Sequence, residues 1–189
     1  LSAYGKETYI NDFQDLIIYL GHGEYKLNLK YFKFHTHGTS IWMSDYFLEK
    51  FGPKREYSGK YTQHTYDIAL ALQKLIESIG VRIATDLYKL TKSTNLCIAG
   101  GVALNVLMNK AIVKETPFKN YFFQPISNDA GPSFGSGLYY YHQILGYDRG
   151  FIFDSVYLGL QYSNKEIESV LISYNLHYEK TENIAKITA

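Results

Sequence analysis

The stretch LCIAGGVALN, residues 96–105, decides the fold expected for this chain. Its apolar start suits a short buried strand, and two glycines, Gly100 and Gly101, follow at once. A helix is predicted over residues 102–110, with Asn105 one turn inside it. Glycines let a ligand approach the backbone closely, and the first N–H groups of a helix have no partner within it. The stretch therefore predicts a strand–turn–helix unit suited to phosphate. A tight turn with glycines chosen only for packing explains the same residues.

A second unit of the same kind follows. Residues 120–123 predict a strand that Pro125 ends, and a helix is predicted over residues 131–145. Pro132 suits the first turn of that helix, and Asn128 or Asp129 suits its N-cap. A carboxylate at a strand end is also where an open α/β sheet would place a metal ligand. Both roles of Asp129 stay open at this point.

The longest periodic stretch precedes both units. Residues 67–90 predict one long helix that Thr65 or Asp67 could cap, with Gly80 as a tolerated interruption. Residues 67–145 thus alternate between helices and strands, which predicts parallel strands joined by helical crossovers. The apolar stripe of the long helix comprises Ile68, Leu72, Leu75, Ile76, Ile79, Ile83, Leu87 and Leu90.

The flanking segments have weaker patterns. Residues 9–20 suit an amphipathic helix that a Gly-His-Gly turn ends, and residues 24–34 alternate like a half-exposed strand. Ser44 and Asp45 could cap a short helix over residues 46–51. Beyond residue 150 we expect a strand at 155–158, a helix at 164–174, a strand at 176–179 and a helical pattern at 184–189.

Composition excludes several classes of protein. The 189 residues are 46% hydrophobic and 20% charged, with a net charge of +1, so the chain carries no electrostatic signature of a nucleic-acid-binding protein. No apolar run approaches the ~20 residues that span a bilayer. A soluble, cytoplasmic protein without nucleic-acid or membrane partners is expected. Cys97 is the only cysteine, which excludes an internal disulfide, and its apolar neighbours predict a buried, inert thiol.

Taken together, the two units resemble the carbamoyltransferase family of the nodulation-protein and antibiotic O-carbamoyltransferase type. The family signature appears here in the same order: GGVALN at 100–105, TPF at 116–118, QP at 124–125 and DAG at 129–131. The opening LSAYG and the stretch VYLG at 156–159 are similar to other segments of that family. The likeness covers nearly the whole chain.

The resemblance implies a fold and a domain organisation. The fold would be α/β, a half-domain of the ribonuclease H/actin-like class (the sugar kinase/actin superfold), with a mixed sheet and flanking helices. Residues 1–150 would be the second half of the actin-like carbamoyltransferase domain. Residues 151–189 would be a linker and the beginning of a C-terminal domain that forms carbamoyl-adenylate.

The resemblance also implies an activity. The protein would transfer a carbamoyl group from carbamoyl phosphate, via carbamoyl-adenylate, to a substrate hydroxyl. Its partners would be carbamoyl phosphate, ATP and a hydroxyl-bearing small molecule, with the missing N-terminal half-domain and the C-terminal domain of the same protein. The fragment by itself is expected to be inactive.

A site follows from the same resemblance. Gly100, Gly101, Asn105 and Asn128 would bind ATP or carbamoyl-adenylate, and Asp129 would bind a divalent metal, iron, whose remaining ligands lie outside this chain. No catalytic residue is identified.

The chain departs from the family pattern at its histidines. Related enzymes place two metal-binding histidines four residues apart, and none of the six histidines here has that spacing. His35 and His37 would share one face of a strand, but their segment does not match the family motif, so a structural or surface role is expected.

Two other functions remain open. A non-catalytic actin-like module that binds a nucleotide or a partner protein would carry the same fold. A sugar or acyl kinase would need a catalytic Asp and a phosphate-binding hairpin, and neither is visible in the sequence.

Overall fold

The computed structural model describes residues 1–153 and 155–188, and it divides the chain into two compact units, Leu1–Asp148 and Arg149–Ala189. The first unit is mixed α/β, with a long central helix and two small sheets. Its helices are α1 (Ile10–Phe13), α2 (Phe34–His37), α3 (Asp45–Phe51), α4 (Gln63–Thr91), α5 (Val106–Glu115) and α6 (Gly131–Tyr139), and its strands are β1 (Ile17–Gly21), β2 (Glu24–Leu27), β3 (Asn95–Ile98) and β4 (Asn120–Phe123).

Helix α4 confirms the predicted long helix but begins four residues earlier. Its N-cap is Thr62, whose backbone N–H donates to the hydroxyl of Thr65 at 3.2 Å. The predicted cap Asp67 instead lies inside the helix, where it is buried. Its carboxylate accepts hydrogen bonds from the Lys6 N–H at 2.7 Å and the Thr8 hydroxyl at 2.8 Å. Asp67 therefore fastens the N-terminal segment to α4.

Aromatic side chains from the first 60 residues cover the N-terminal half of α4. The rings of Phe13 and Phe47 each lie 4.8 Å, centroid to centroid, from Phe51. This cluster packs on Leu75 and Ile79 of α4, and Leu75 is completely buried. Since each large ring removes much apolar surface from water, the core is built around α4. Three residues of the predicted stripe, Leu72, Leu87 and Leu90, are exposed instead.

The helix predicted over residues 9–20 is wrong. Only Ile10–Phe13 is α-helical in this range, after a 3-10 turn at Glu7–Tyr9, and Ile17–Gly21 forms β1, antiparallel to β2. The turn between these strands, Gly21 to Gly23, has positive φ at all three residues. Glycine adopts this conformation without strain, and two of the three residues are glycines. β-Branched residues in β1 favour the strand. Strand β2 is also shorter than predicted, because the chain enters a 3-10 turn at Leu29–Tyr31.

The C-terminal half of α4 packs on the second sheet. Strands β3 and β4 are parallel, as predicted from the alternation of elements, and α5 connects them. Leu96 of β3, Met108 and Ile112 of α5, and Ala84 of α4 form a second apolar cluster. Gly80 allows this close packing, since an added Cβ would lie 2.8 Å from the Cγ of Met108.

The prediction that the Cys97 thiol is buried is wrong. It is exposed, because the strand alternates and only the face that carries Leu96 is covered by helices in the described residues.

The second unit contains α7 (Asn164–Ser173) and α8 (Ile184–Thr188). Ser163 caps α7 through a reciprocal bond with Glu166, which confirms the predicted helix. Residues 155–158 and 176–179 are not strands, contrary to prediction, and Ala189 lies outside the described residues. Within the described ranges, no helix has the length and apolarity to cross a bilayer.

Candidate functional site

A glycine turn follows directly after β3. Gly100 has φ of +96°, a conformation that favours glycine, and its carbonyl accepts a hydrogen bond from the Ala103 N–H at 2.8 Å. Residues Gly101–Leu104 form a 3-10 turn and not the predicted start of an α-helix. An added Cβ at Gly100 or Gly101 would have no neighbour within 4 Å, so both backbone positions face open space. The N–H groups that begin the turn are available to an anion there.

Asn105 is the N-cap of α5, one residue before the helix begins. The sequence predicted it one turn inside a helix, and the intervening 3-10 turn explains the difference. Its side-chain oxygen accepts a hydrogen bond from the Met108 N–H at 3.0 Å. Asn105 therefore sets the direction of α5 as it leaves the glycine turn.

A reciprocal amide pair joins Asn105 to Gln73 of α4. The Asn105 amide donates to the Gln73 oxygen at 3.0 Å, and the Gln73 amide donates to the Asn105 oxygen at 3.1 Å. Gln73 also donates to Glu77 at 2.9 Å, and Glu77 forms an ion pair with Lys74. The hydrogen bond that the Lys74 ammonium donates to the Glu77 carboxylate raises the pKa of Lys74. This network holds the glycine turn against the central helix and leaves one N–H of the Asn105 amide without a hydrogen-bond partner among the described residues.

Asn109 reinforces the turn from inside α5. Its side-chain amide donates to the carbonyl of Ala103 at 2.7 Å, while its oxygen is buried without a hydrogen-bond partner among the described residues. Sequence reasoning gave no role to Asn109. The signal was its position four residues after Asn105, since residues four apart share one face of a helix.

The second loop, between β4 and α6, is also built around backbone geometry. The Asn128 side chain accepts a hydrogen bond from the Ala130 N–H at 3.1 Å, which makes an Asx turn. The N-cap of α6 is Ala130, so neither Asn128 nor Asp129 fills the predicted capping position. Gly131 is required here, since an added Cβ would lie 2.2 Å from the carbonyl oxygen of Ile126.

The two loops leave neighbouring strands at the same edge of the sheet. Strands β3 and β4 are parallel, and the Gln124 N–H bonds to the carbonyl of Ile98 at 2.9 Å, where both strands end. Gly100 follows two residues later, and Asp129 follows β4 by six residues. The carboxyl edge of parallel strands is where open α/β sheets bind ligands. The ligand roles of Gly100, Gly101, Asn105, Asn128 and Asp129 remain predictions.

Metal-ligating side chains do not converge in the described part of the chain. Asp129 is exposed, and residues 1–153 and 155–188 contain no group of three or more His, Cys, Asp and Glu that could hold a metal ion. His35 and His37 lie in the short helix α2, not on a strand, so they do not share a strand face. Asp129 could therefore supply at most one ligand of a larger site.

Comparison with known proteins identifies the family. The family described as "Carbamoyltransferase N-terminus" matches residues 1–138, which include both loops. This chain belongs to that carbamoyltransferase family. The match confirms the resemblance carried by the GGVALN and DAG motifs.

Two nodulation proteins and an uncharacterized protein are similar to this chain. The chain is 36% identical over 78 residues to the nodulation protein NolO of Bradyrhizobium diazoefficiens, covering 41% of this chain and 14% of the relative. It is 27% identical over 141 residues to the nodulation protein NolNO of Sinorhizobium fredii, covering 70% of this chain and 21% of the relative. An uncharacterized protein of Synechocystis sp. is 34% identical over 177 residues, which are 90% of this chain and 28% of the relative. The chain spans less than a third of the length of each of these relatives.

Proposed function

We propose that this chain is part of an O-carbamoyltransferase, and that its glycine turn binds the phosphate of a carbamoyl-adenylate. In the transfer step, the oxygen of a substrate hydroxyl bonds to the carbamoyl carbon. The bond from that carbon to the phosphate oxygen breaks, AMP leaves, and the hydroxyl proton is released. Membership of the carbamoyltransferase family and the two loops at one edge of β3 and β4 support this proposal.

The glycine turn suits a phosphate for three physical reasons. The absent side chains of Gly100 and Gly101 leave open space, so phosphate oxygens can approach the backbone. The N–H groups of Gly101 and Val102 start a 3-10 turn, and the first N–H groups of such a turn lack partners inside it. Backbone dipoles aimed at a phosphate stabilise the negative charge that it carries.

Asn105 and Asn128 act mainly by shaping the two loops. Each uses its side-chain oxygen to accept a backbone N–H, and Asn105 is also paired with Gln73. The free amide hydrogen of Asn105 can donate to a ribose hydroxyl or a phosphate oxygen. Pre-organised donors of this kind cost little ordering when the ligand binds.

A metal ion fits this chain only in part. Asp129 offers one exposed carboxylate at the edge of the sheet, and other ligands would have to come from elsewhere in the protein. An iron ion bound there would act as a Lewis acid on the carbamoyl carbonyl. The residues of this chain would orient the adenylate beside it.

The phosphate role can be tested on the backbone itself. Gly101→Ala adds a methyl group where the phosphate should approach, yet it meets no protein atom within 4 Å, so folding should be unaffected. Gly137→Ala in α6 is the matched control, because its Cβ also meets no atom within 4 Å.

Backbone NMR of the wild-type chain titrated with ATP provides the measurement. We expect shifts at the amides of residues 100–103, lost in Gly101→Ala and kept in Gly137→Ala. Absence of shifts at these amides at saturating ATP would remove the glycine turn from the nucleotide site.

A further inference from the structure

An apolar groove of about 490 Å³ crosses the surface of α4 between the β1–β2 hairpin and β3. Its floor includes Ile79, Ile83 and Leu87 of α4. Leu27 of the hairpin forms part of one wall, and Leu96 of β3 forms part of the other. None of the described side chains that line this groove is Asp, Glu, Lys or Arg. A charged or strongly polar ligand would therefore lose its hydration without compensation.

Strand β3 borders this groove through Leu96 and Ile98, and one edge of β3 has no partner strand among the described residues. The Asn120 N–H donates to the Thr94 carbonyl at 3.1 Å and the Gln124 N–H to the Ile98 carbonyl at 2.9 Å, so the even-numbered residues of β3 bond to β4. Since neighbouring residues in a strand direct their backbone groups to opposite edges, Cys97 directs its N–H and C=O away from β4. Asn95 lies on the same edge, but the Ser93 hydroxyl already bonds to its N–H and C=O.

The groove is open to solvent. Leu87 is 40% exposed on its floor, and Tyr25 on the hairpin wall is 56% exposed. A contiguous exposed apolar surface of this kind marks an interaction site. A strand edge with a free donor and acceptor beside it is the arrangement that binds an added β-strand.

We propose that this groove accepts one β-strand, which lies beside β3, bonds to the backbone of Cys97 and turns alternate apolar side chains onto α4. The occupant is a segment of the same protein from outside residues 1–189. The relatives leave room for such a segment, since the matched region is 28% of the Synechocystis protein. A helix could not occupy this position equally well, because its backbone groups are already bonded internally. The proposal is independent of the carbamoyl transfer.

Overlapping peptides provide the probe. Their sequences cover the part of the Synechocystis protein outside its match to this chain. A length of about 12 residues is roughly twice that of a usual strand. Fluorescence polarisation with the 189-residue protein measures binding, and hydrogen exchange measures protection of the Cys97 amide. We expect a bound peptide with alternating apolar residues that slows exchange at Cys97. Failure of every peptide to bind, or binding that leaves Cys97 exchange unchanged, would overturn the proposal.

Matched substitutions locate the binding surface. Leu87→Glu places a charge on the groove floor, and Tyr25→Glu does the same on the hairpin wall. Leu90→Glu is the control, because Leu90 is 83% exposed on the same helix and does not line the groove. We expect the two groove variants to weaken binding at least about tenfold, since a charge in an apolar contact is strongly disfavoured. Equal affinity for all three variants would contradict a groove-bound strand.

Two controls complete the experiment. Far-UV circular dichroism shows whether each variant retains its helices, and the Cys97 exchange in the wild-type protein decides the question even if a variant unfolds. Light scattering after size exclusion measures the oligomeric state. A dimer that Leu87→Glu dissociates would make a second copy the occupant and overturn the proposed segment.

Discussion

The amide pair between Gln73 and Asn105 gives a prediction whose magnitude follows from the structure. Gln73→Ala removes both hydrogen bonds of the pair, at 3.0 and 3.1 Å, and also the hydrogen bond to Glu77 at 2.9 Å. At about 0.5–1.5 kcal/mol for each bond, the pair contributes about 1–3 kcal/mol to the free energy of unfolding, and the bond to Glu77 adds about 0.5–1.5 kcal/mol. Asn105→Ala removes the same two bonds and also the N-cap of α5, which adds about 0.5–2 kcal/mol. The two substitutions should therefore destabilise the protein by similar amounts, about 1.5–5 kcal/mol.

A double-mutant cycle separates the pair from the cap. Urea denaturation followed by circular dichroism measures the free energy of unfolding of the wild type, both single variants and the double variant. The coupling energy should be about 1–3 kcal/mol, because the second substitution finds the pair already broken. A parallel cycle of Gln73→Ala with Asn120→Ala, whose side chain bonds to Asn95 instead, should show no coupling. Additive effects of Gln73→Ala and Asn105→Ala would refute the amide pair as an energetic link.

Three further predictions concern stability. Leu75→Ala should lower the free energy of unfolding by about 2–5 kcal/mol, since Leu75 is fully buried. Leu72→Ala, at an exposed position of the same helix, should lower it far less. Urea titrations that give equal losses for the two variants would contradict the packing. Gly131→Ala should lower the melting temperature, because the added methyl group clashes with the carbonyl oxygen of Ile126. Gly135→Ala, whose added methyl group meets no atom within 4 Å, should leave the melting temperature unchanged or raise it slightly. The reverse order would contradict the loop geometry. Hydrogen bonds from Tyr19 first, and then from Lys89, lower the pKa of Asp86 from 3.8 to about 2, so the stabilising effect of the Asp86 carboxylate is present above about pH 4 and is lost as the pH falls towards 2. The melting temperature of Asp86→Asn should therefore vary less over this interval than that of the wild type. An acid profile that the substitution leaves unchanged would argue against these bonds.

The elements with strong local patterns were predictable. The long helix, the two short strands with their parallel pairing, and the cap Ser44 follow from periodicity and from side chains that bond to nearby backbone. The helix predicted over residues 9–20 failed because its spacing also fits a hairpin, and the contact between Tyr19 and Asp86 of α4 lies far away along the chain. The prediction of a buried Cys97 thiol was wrong because an apolar run cannot show which face of its strand is covered.

The candidate site was also predictable only where it depends on neighbouring residues. Its two loops were predictable, since a strand followed by paired glycines or by an Asn-Asp-Ala-Gly turn is a local signal. The 3-10 turn was not, and it moved Asn105 from inside a helix to its N-cap. The bond from Gln73 to Asn105 joins residues 32 positions apart, so no local pattern could reveal it.

The sequence by itself determined the family, the order of the main elements and the positions of both loops, because each depends on neighbouring residues. Only the tertiary structure decided which backbone edge of β3 is open, which apolar side chains of α4 remain exposed and which amide holds the glycine turn. These depend on contacts between distant residues. Chain folding makes such contacts through burial and hydrogen-bond geometry, and neither is encoded in spacing along the chain.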